Sequence, residues 1–189
     1  MRKAGQVKRI RNVMEEFSKK LENWVKEKPH DFFFEDDVRC ISWLILYRLL
    51  FKDLLHSTNK RHETRLIANF NPYLFSHRDE YRDVSYDLAI LNEESGINPI
   101  CVIEFKFRKR YSRWHGKPLK YGASLSGFKK DFDKLKDDRA PLKYCILVQI
   151  GIPESKKCRK FVNANSDIKR VKLCYFCNER DYPTSPLVK

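Results

Sequence analysis

Apolar residues recur at three- and four-residue steps along the first part of the chain: Val7, Ile10, Val13/Met14, Phe17, Leu21 and Trp24/Val25, with charged residues between them. That period predicts an amphipathic helix over 5–28, which Pro29 ends. A second helix is predicted over 35–56. It opens with Glu35, Asp36 and Asp37, acidic residues that suit the positive end of a helix dipole. Its body, Val38 to Leu55, is apolar on most sides and is expected to be buried all round. The aromatic run Phe32-Phe33-Phe34 is expected to pack against the start of this helix.

The pattern then changes. Arg65–Phe70, Val84–Leu91 and Ile100–Phe107 read as strands, the last almost wholly β-branched or aromatic. Residues 92–99 join the second to the third as a hairpin-type loop. A basic loop is expected over 108–121. Leu125, Phe128, Phe132 and Leu135 then mark a third helix, ended near Pro141. Lys143–Ile150 reads as a central buried strand, 154–164 as a short helix and Ile168–Phe176 as a last strand. This order predicts an α/β protein, a three-layer sandwich around a central mixed sheet. The expected partition is an appended amphipathic helix (1–30), a core domain (31–178) and a loose tail (179–189) with Pro183 and Pro186.

The chain has 189 residues and a net charge of +14. The charge is unevenly spread. Segment 29–104 carries eight Lys/Arg against thirteen Asp/Glu, whereas 105–130 carries nine Lys/Arg and no acid. A polyphosphate partner explains such a basic stretch, because lysine and arginine release condensed counterions when they meet phosphates. A basic surface with no partner is the plainer alternative. No apolar run approaches the ~20 residues that cross a bilayer. The amino terminus lacks the pattern of a secretory signal, so a cytoplasmic protein without a membrane partner is expected.

Six cysteines do not read as a disulfide framework. Cys40, Cys101 and Cys145 lie in apolar stretches and are expected in the core. Cys158, Cys174 and Cys177 could form a zinc site in an interaction protein, but a fourth ligand is missing. His56, His62 and His77 show no metal-ligand spacing.

Polar residues interrupt two of the apolar strands: Asp87 in the second, Glu104 and Lys106 in the third. Strand alternation sends Glu104 and Lys106 to one face. An ordinary partly buried ion pair is the bland reading, since burying such charges costs several kcal/mol unless they are well partnered. The aspartate on the neighbouring strand, the acidic helix before both and the basic segment after them favour a catalytic one. Carboxylates offer hard oxygen ligands to a divalent cation, and a nearby lysine can orient water and stabilise phosphoryl charge.

Asp87 followed by Glu104-Phe105-Lys106 in a hydrophobic strand resembles the PD-(D/E)xK nuclease superfamily, the fold of many restriction endonucleases and of archaeal Holliday junction resolvases. The resemblance covers roughly residues 35–150, with Tyr86 where the eponymous proline would stand. It implies a restriction endonuclease-like αβββαβ core and Mg²⁺-dependent hydrolysis of phosphodiester bonds in DNA, with Mn²⁺ substituting. Asp87, Glu104 and the Phe105 backbone carbonyl would hold the ion, and Lys106 would assist the attacking water. An acidic residue on the first core helix completes many such sites; Glu35 is the first candidate and Asp37 the second. Lysines on the following helix sometimes approach the site, which makes Lys129 a lesser candidate. Arg108, Lys109, Arg110, Arg113, Lys117 and Lys120, interleaved with Tyr111, Trp114, His115 and Tyr121, would hold nucleic acid. The residues do not separate DNA from RNA. Two-fold substrates would favour a homodimer, with the 5–28 helix as its interface or simply as a cap on the core. A silent nucleic-acid-binding protein of the same fold is the principal alternative.

Overall fold

A computed structural model describes residues 2–51, 64–70, 85–92, 98–114, 117–122, 125–165 and 171–179. Helix α1 (Arg2–Glu27) leads through a short 3₁₀ turn (Pro29–Asp31) into α2 (Glu35–Leu50). Strands β1 (Thr64–Phe70), β2 (Tyr86–Asn92), β3 (Pro99–Trp114) and β4 (Lys117–Gly122) follow. The chain continues with α3 (Leu125–Lys136), β5 (Leu142–Ile150), α4 (Lys156–Asn165) and β6 (Val171–Asn178). The sheet runs β1-β2-β3-β5-β6, antiparallel from β1 to β3 and parallel from β3 to β6, with β4 paired to β3. The mixed α/β architecture expected from the alternating patterns is therefore present.

Two cores sandwich this sheet. On one side, α1 and α2 cover Leu88, Ile90, Cys101, Ile103, Phe105, Phe107, Tyr144, Ile146, Val148, Cys174 and Phe176. On the other, α3 and α4 cover Ala89, Val102, Cys145, Leu147, Val171 and Leu173. The division follows strand alternation: odd positions of β3 face α1 and α2, even positions face α3.

The apolar stripe of α1 (Ile10, Met14, Phe17, Leu21 and Val25) is fully buried in the first core. This helix is thus a structural layer of the molecule, and its stripe is not free to serve as a dimer interface. Lys28 N–H closes the last turn on the Trp24 carbonyl, and Pro29 follows at the first position of the 3₁₀ turn. At the far end of the sheet, Asn178 Nδ2 donates to the Val25 and Lys26 carbonyls at 2.9 and 3.0 Å. It thereby satisfies acceptors that a helix C-terminus leaves open.

Four expectations need correction. Helix α2 is buried on one side only: Val38, Ser42, Ile45, Leu46 and Leu50 face inward, while Cys40 and Tyr47 are exposed. It packs as an outer layer, so its far side has nothing to pack against among the described residues, and Cys40 is not a core residue. Of the aromatic run, Phe32 is buried but Phe33 and Phe34 are half exposed. The basic segment expected as a loop is extended: β3 continues to Trp114 and β4 returns along it, with Arg110 opposite Lys120 and Tyr111 opposite Leu119. Finally, the three cysteines of the zinc reading are not gathered. Cys174 belongs to the core under α1, whereas Cys158, on α4, belongs to the opposite core, and Cys177, three residues along β6 from Cys174, falls on the other face of the strand. Burial pushes the Cys174 thiol up to about 11, away from the thiolate that zinc requires. His56, His62, His77 and His115 lie outside the described residues, as does the tail beyond Glu179.

Candidate active site

The site forms where one edge of β3 loses its strand partners. The β2 ladder on β3 reaches Ile103, and the β4 ladder begins at Arg108. Arg108 and Lys109 pair with β5 as well, so β4 must lie on the same edge as β2. Among the described residues, 104–107 therefore have no strand on that edge. Two backbone N–H groups point into the gap, and carboxylates take both. Phe105 N–H donates to Asp87 Oδ2 at 2.7 Å, and Phe107 N–H donates to Glu35 Oε2 at 3.3 Å. Buried backbone donors need acceptors, and here acidic side chains replace the missing ladder. Strand geometry aims the Phe105 carbonyl at the same edge as its N–H.

Each carboxylate arrives for a local reason. Asp87 lies one step beyond the Leu88–Ile103 pair, where continuation of the register sets it against Glu104. Glu35 is the first residue of α2, and the gap lets it reach from the α2 layer to Lys106 Nζ, 3.3 Å away. Asp37 instead caps its own helix, accepting the Phe33 and Phe34 N–H groups at 2.7 Å each. Of the two helix candidates, Glu35 is in the cluster and Asp37 is not.

Helix α3 and one arginine of α2 complete the constellation with residues not anticipated from the sequence. Asp131 Oδ2 lies 2.9 Å from Lys106 Nζ, and Lys134 pairs with Glu104 Oε1. Arg39 Nη2 lies 3.3 Å from Asp87 Oδ1 and 3.1 Å from Asp36. The spacing held a signal: Asp131 and Lys134 are three apart on a helix, hence on one face. They present the opposite charges to Glu104 and Lys106, two apart on the facing strand.

Lys129 does not approach this cluster; it is exposed, with its ammonium 5.3 Å from the Phe161 ring centroid. Two further residues expected to bind nucleic acid are engaged within the chain. Arg108 Nη1 donates to Gln149 Oε1 at 3.4 Å and faces Cys158 Sγ. Lys109 donates to the Phe32 carbonyl and lies 4.1 Å from the Phe33 ring centroid. Burial lowers the Lys109 pKa, against the pull of Asp37. The side chains of Arg110, Arg113, Lys117 and Lys120 lie outside the described residues, though their backbone positions fall on the β3–β4 hairpin.

The electrostatics show a surplus of negative charge. Burial first, and the charge of Asp87 second, push Glu104 up to about 8, with Lys134 opposing and Asp131 adding. Burial raises Glu35 too, which Lys106 counters and Asp87 reinforces. Burial alone would lower Lys106. Its hydrogen bond to Asp131 and the charges of Asp131, Glu35 and Asp87 outweigh that and raise it.

A magnesium ion asks for hard oxygen donors with negative charge to spare. Asp87, Glu104, Glu35 and the Phe105 carbonyl fit in kind, and the raised Glu104 marks a place where added positive charge would be favourable. As placed, every one of these carboxylates already has a cationic or N–H partner. Among the described residues no group of three His, Cys, Asp or Glu side chains is gathered as a metal site. Nor is any described helix long and apolar enough to cross a membrane. No protein-family model, curated protein or solved structure matches the chain.

Proposed function

We propose that the chain is a metal-dependent nuclease that hydrolyses phosphodiester bonds in DNA, with a restriction endonuclease-like core and membership of the PD-(D/E)xK superfamily. The observation that carries this reading is the meeting of Asp87, Glu104, Lys106 and Glu35 at the unpaired edge of β3. Asp87, Glu104 and the Phe105 carbonyl would hold Mg²⁺ or Mn²⁺, with Glu35 beside them. The ion would supply Lewis acidity and lower the pKa of a bound water. Lys106, charged and held between Asp131 and Glu35, serves as a fixed cation. It orients the attacking water and stabilises charge growing on the phosphoryl oxygens rather than taking a proton. The basic residues of the β3–β4 hairpin would hold the DNA backbone.

A second reading, a nucleic-acid-binding protein without catalysis, is favoured by one feature: Arg39 and Lys134 already neutralise the carboxylates that a metal would need. A cleavage screen over linear, nicked, flapped, four-way and single-stranded DNA, and over RNA, with Mg²⁺ or Mn²⁺ separates the two. Metal-dependent cutting that Asp87→Ala abolishes supports the nuclease; binding to DNA without cutting under every condition supports the silent binder.

A further inference from the structure

Among the described residues three cations face the carboxylate cluster, and they are not held alike. Lys106 is tied to two carboxylates, Asp131 at 2.9 Å and Glu35 at 3.3 Å, and its side chain is 20% exposed. Arg39, equally enclosed, bridges Asp87 and Asp36. Among the described residues Lys134 has a single carboxylate partner, Glu104, and its side chain is 35% exposed. Its other contacts are the Ser85 carbonyl and the Tyr86 ring, whose centroid is 5.0 Å away. Glu104, by contrast, is only 7% exposed at its side chain and lies deep in the sheet.

These differences decide which contact can yield. Removing Lys106 from its place would leave Asp131 and Glu35 without their cation, and removing Arg39 would strand Asp87. Lys134 can swing into solvent and leave behind only Glu104, the carboxylate most crowded by negative neighbours. A lysine ammonium is a compact point charge on a flexible stem, suited to reversible neutralisation of a site.

We propose that Lys134 is a built-in counter-ion of Glu104 in the Asp87/Glu104 pair, a resident ammonium that a divalent cation must displace from Glu104. It would set the concentration of metal at which the site fills. The inference rests on the reading that these two carboxylates hold a divalent cation, but it concerns metal affinity and not the reaction. In the absence of metal the site is self-neutralised. Asp131 plays the complementary part, keeping Lys106 in place while Lys134 departs.

The test is isothermal titration calorimetry of the full-length chain with Mn²⁺ and with Mg²⁺, comparing the parent with Lys134→Met, Lys134→Gln and Lys134→Arg. Methionine and glutamine are one atom shorter than lysine and remove its charge, so either serves if the other fails to fold. A competing charge-assisted contact is lost in both, and affinity is expected to tighten about ten-fold. Lys134→Arg should stay within about two-fold of the parent, because the competing charge remains. Equal or weaker binding by the uncharged variants would overturn the proposal. So would an arginine variant as tight as the methionine one, or no metal binding by any of the four proteins. Tightened metal binding in a chain that cuts no nucleic acid would instead leave the counter-ion in place and remove the nuclease reading.

Discussion

The backbone N–H of Phe105 is hydrogen-bonded to Asp87 Oδ2 at 2.7 Å, so a side chain of β2 takes up a donor of β3 where the two strands stop pairing. This one contact gives Asp87 two duties, as acceptor for the sheet edge and as partner of Arg39 at 3.3 Å. Asp87→Asn separates them. The amide oxygen can still accept from Phe105, but the amide nitrogen would meet the Arg39 guanidinium, donor against donor. Asp87→Asn should therefore remain folded, with a melting temperature within a few degrees of the parent. Metal-dependent DNA cleavage should fall at least ~100-fold, the scale on which charge-stabilising groups act. Thermal melts and a cleavage time course on one preparation check both halves. Parental cleavage by the variant would remove Asp87 from the site.

Much of this arrangement could be read from the residue pattern, and its limits have physical causes. The apolar stripe of α1 and the nearly unbroken apolar runs of β2, β3 and β5 locate the layers, because burial on one face imposes a helical period and burial on both faces of a strand imposes a continuous run. Asp87, Glu104 and Lys106 stand out because each breaks an apolar strand. Asp131 and Lys134 broke nothing: they sit on the polar side of an amphipathic helix, where charges are ordinary. Their role depends on how α3 is rotated over β3, a tertiary fact. The continuation of β3 to Trp114 escaped for a related reason. Arg108, Lys109 and Arg110 are poor strand signals, and only pairing with β4 makes them one.

Asp131 should matter to stability as well as to the site. Its side chain and that of Lys106 are 17% and 20% exposed, so removing one leaves a largely enclosed charge behind. Asp131→Ala is expected to destabilise the fold by about 2 kcal/mol, or a melting temperature lower by roughly 4–8 °C. The double variant Asp131→Ala/Lys106→Met should lose less than the sum of the two single losses, since the contact between the two groups is then lost only once, while Glu35 loses its cation in both proteins that lack Lys106. A double-mutant cycle by chemical denaturation measures the coupling. Additive losses would show that the two groups do not interact.

The end of β6 is pinned to α1 through Asn178, whose amide nitrogen serves two helix carbonyls. Asn178→Ala leaves both acceptors unsatisfied in a buried setting and should cost about 1–3 kcal/mol. Asn178→Asp should be worse despite its closer shape. A carboxylate brings acceptors to acceptors and a negative charge to the negative end of the helix. Urea unfolding of the three proteins should give the order parent, Ala, Asp. An aspartate variant as stable as the parent would contradict this account of the α1 terminus.

Glu104 gives the metal-free protein a pH dependence of definite sign. Burial and the charge of Asp87 push its carboxyl from an ordinary 4.5 to about 8 against the pull of Lys134, so below about pH 8 the folded state keeps a proton that the unfolded chain releases, and Lys134 serves Glu104 as a counter-ion above that pH. The stability that this proton confers is fully present below pH 4.5. It declines as pH rises through the interval from there to about 8, because across that range the folded state binds more protons than the unfolded one. Glu104→Gln carries a permanently neutral isostere and lacks this term. Relative to the parent, its melting temperature should therefore rise with pH, from little difference near pH 5 to an advantage of several degrees at pH 9, in buffer containing a chelator. Adding Mg²⁺ at pH 9 should raise the parent's melting temperature and leave the glutamine variant's nearly unchanged, since a bound cation would replace the lost proton only where a carboxylate receives it. A difference between the two proteins that stayed constant from pH 5 to pH 9 would show that Glu104 is ionised in the folded state throughout, and that its pairing with Lys134 outweighs its burial.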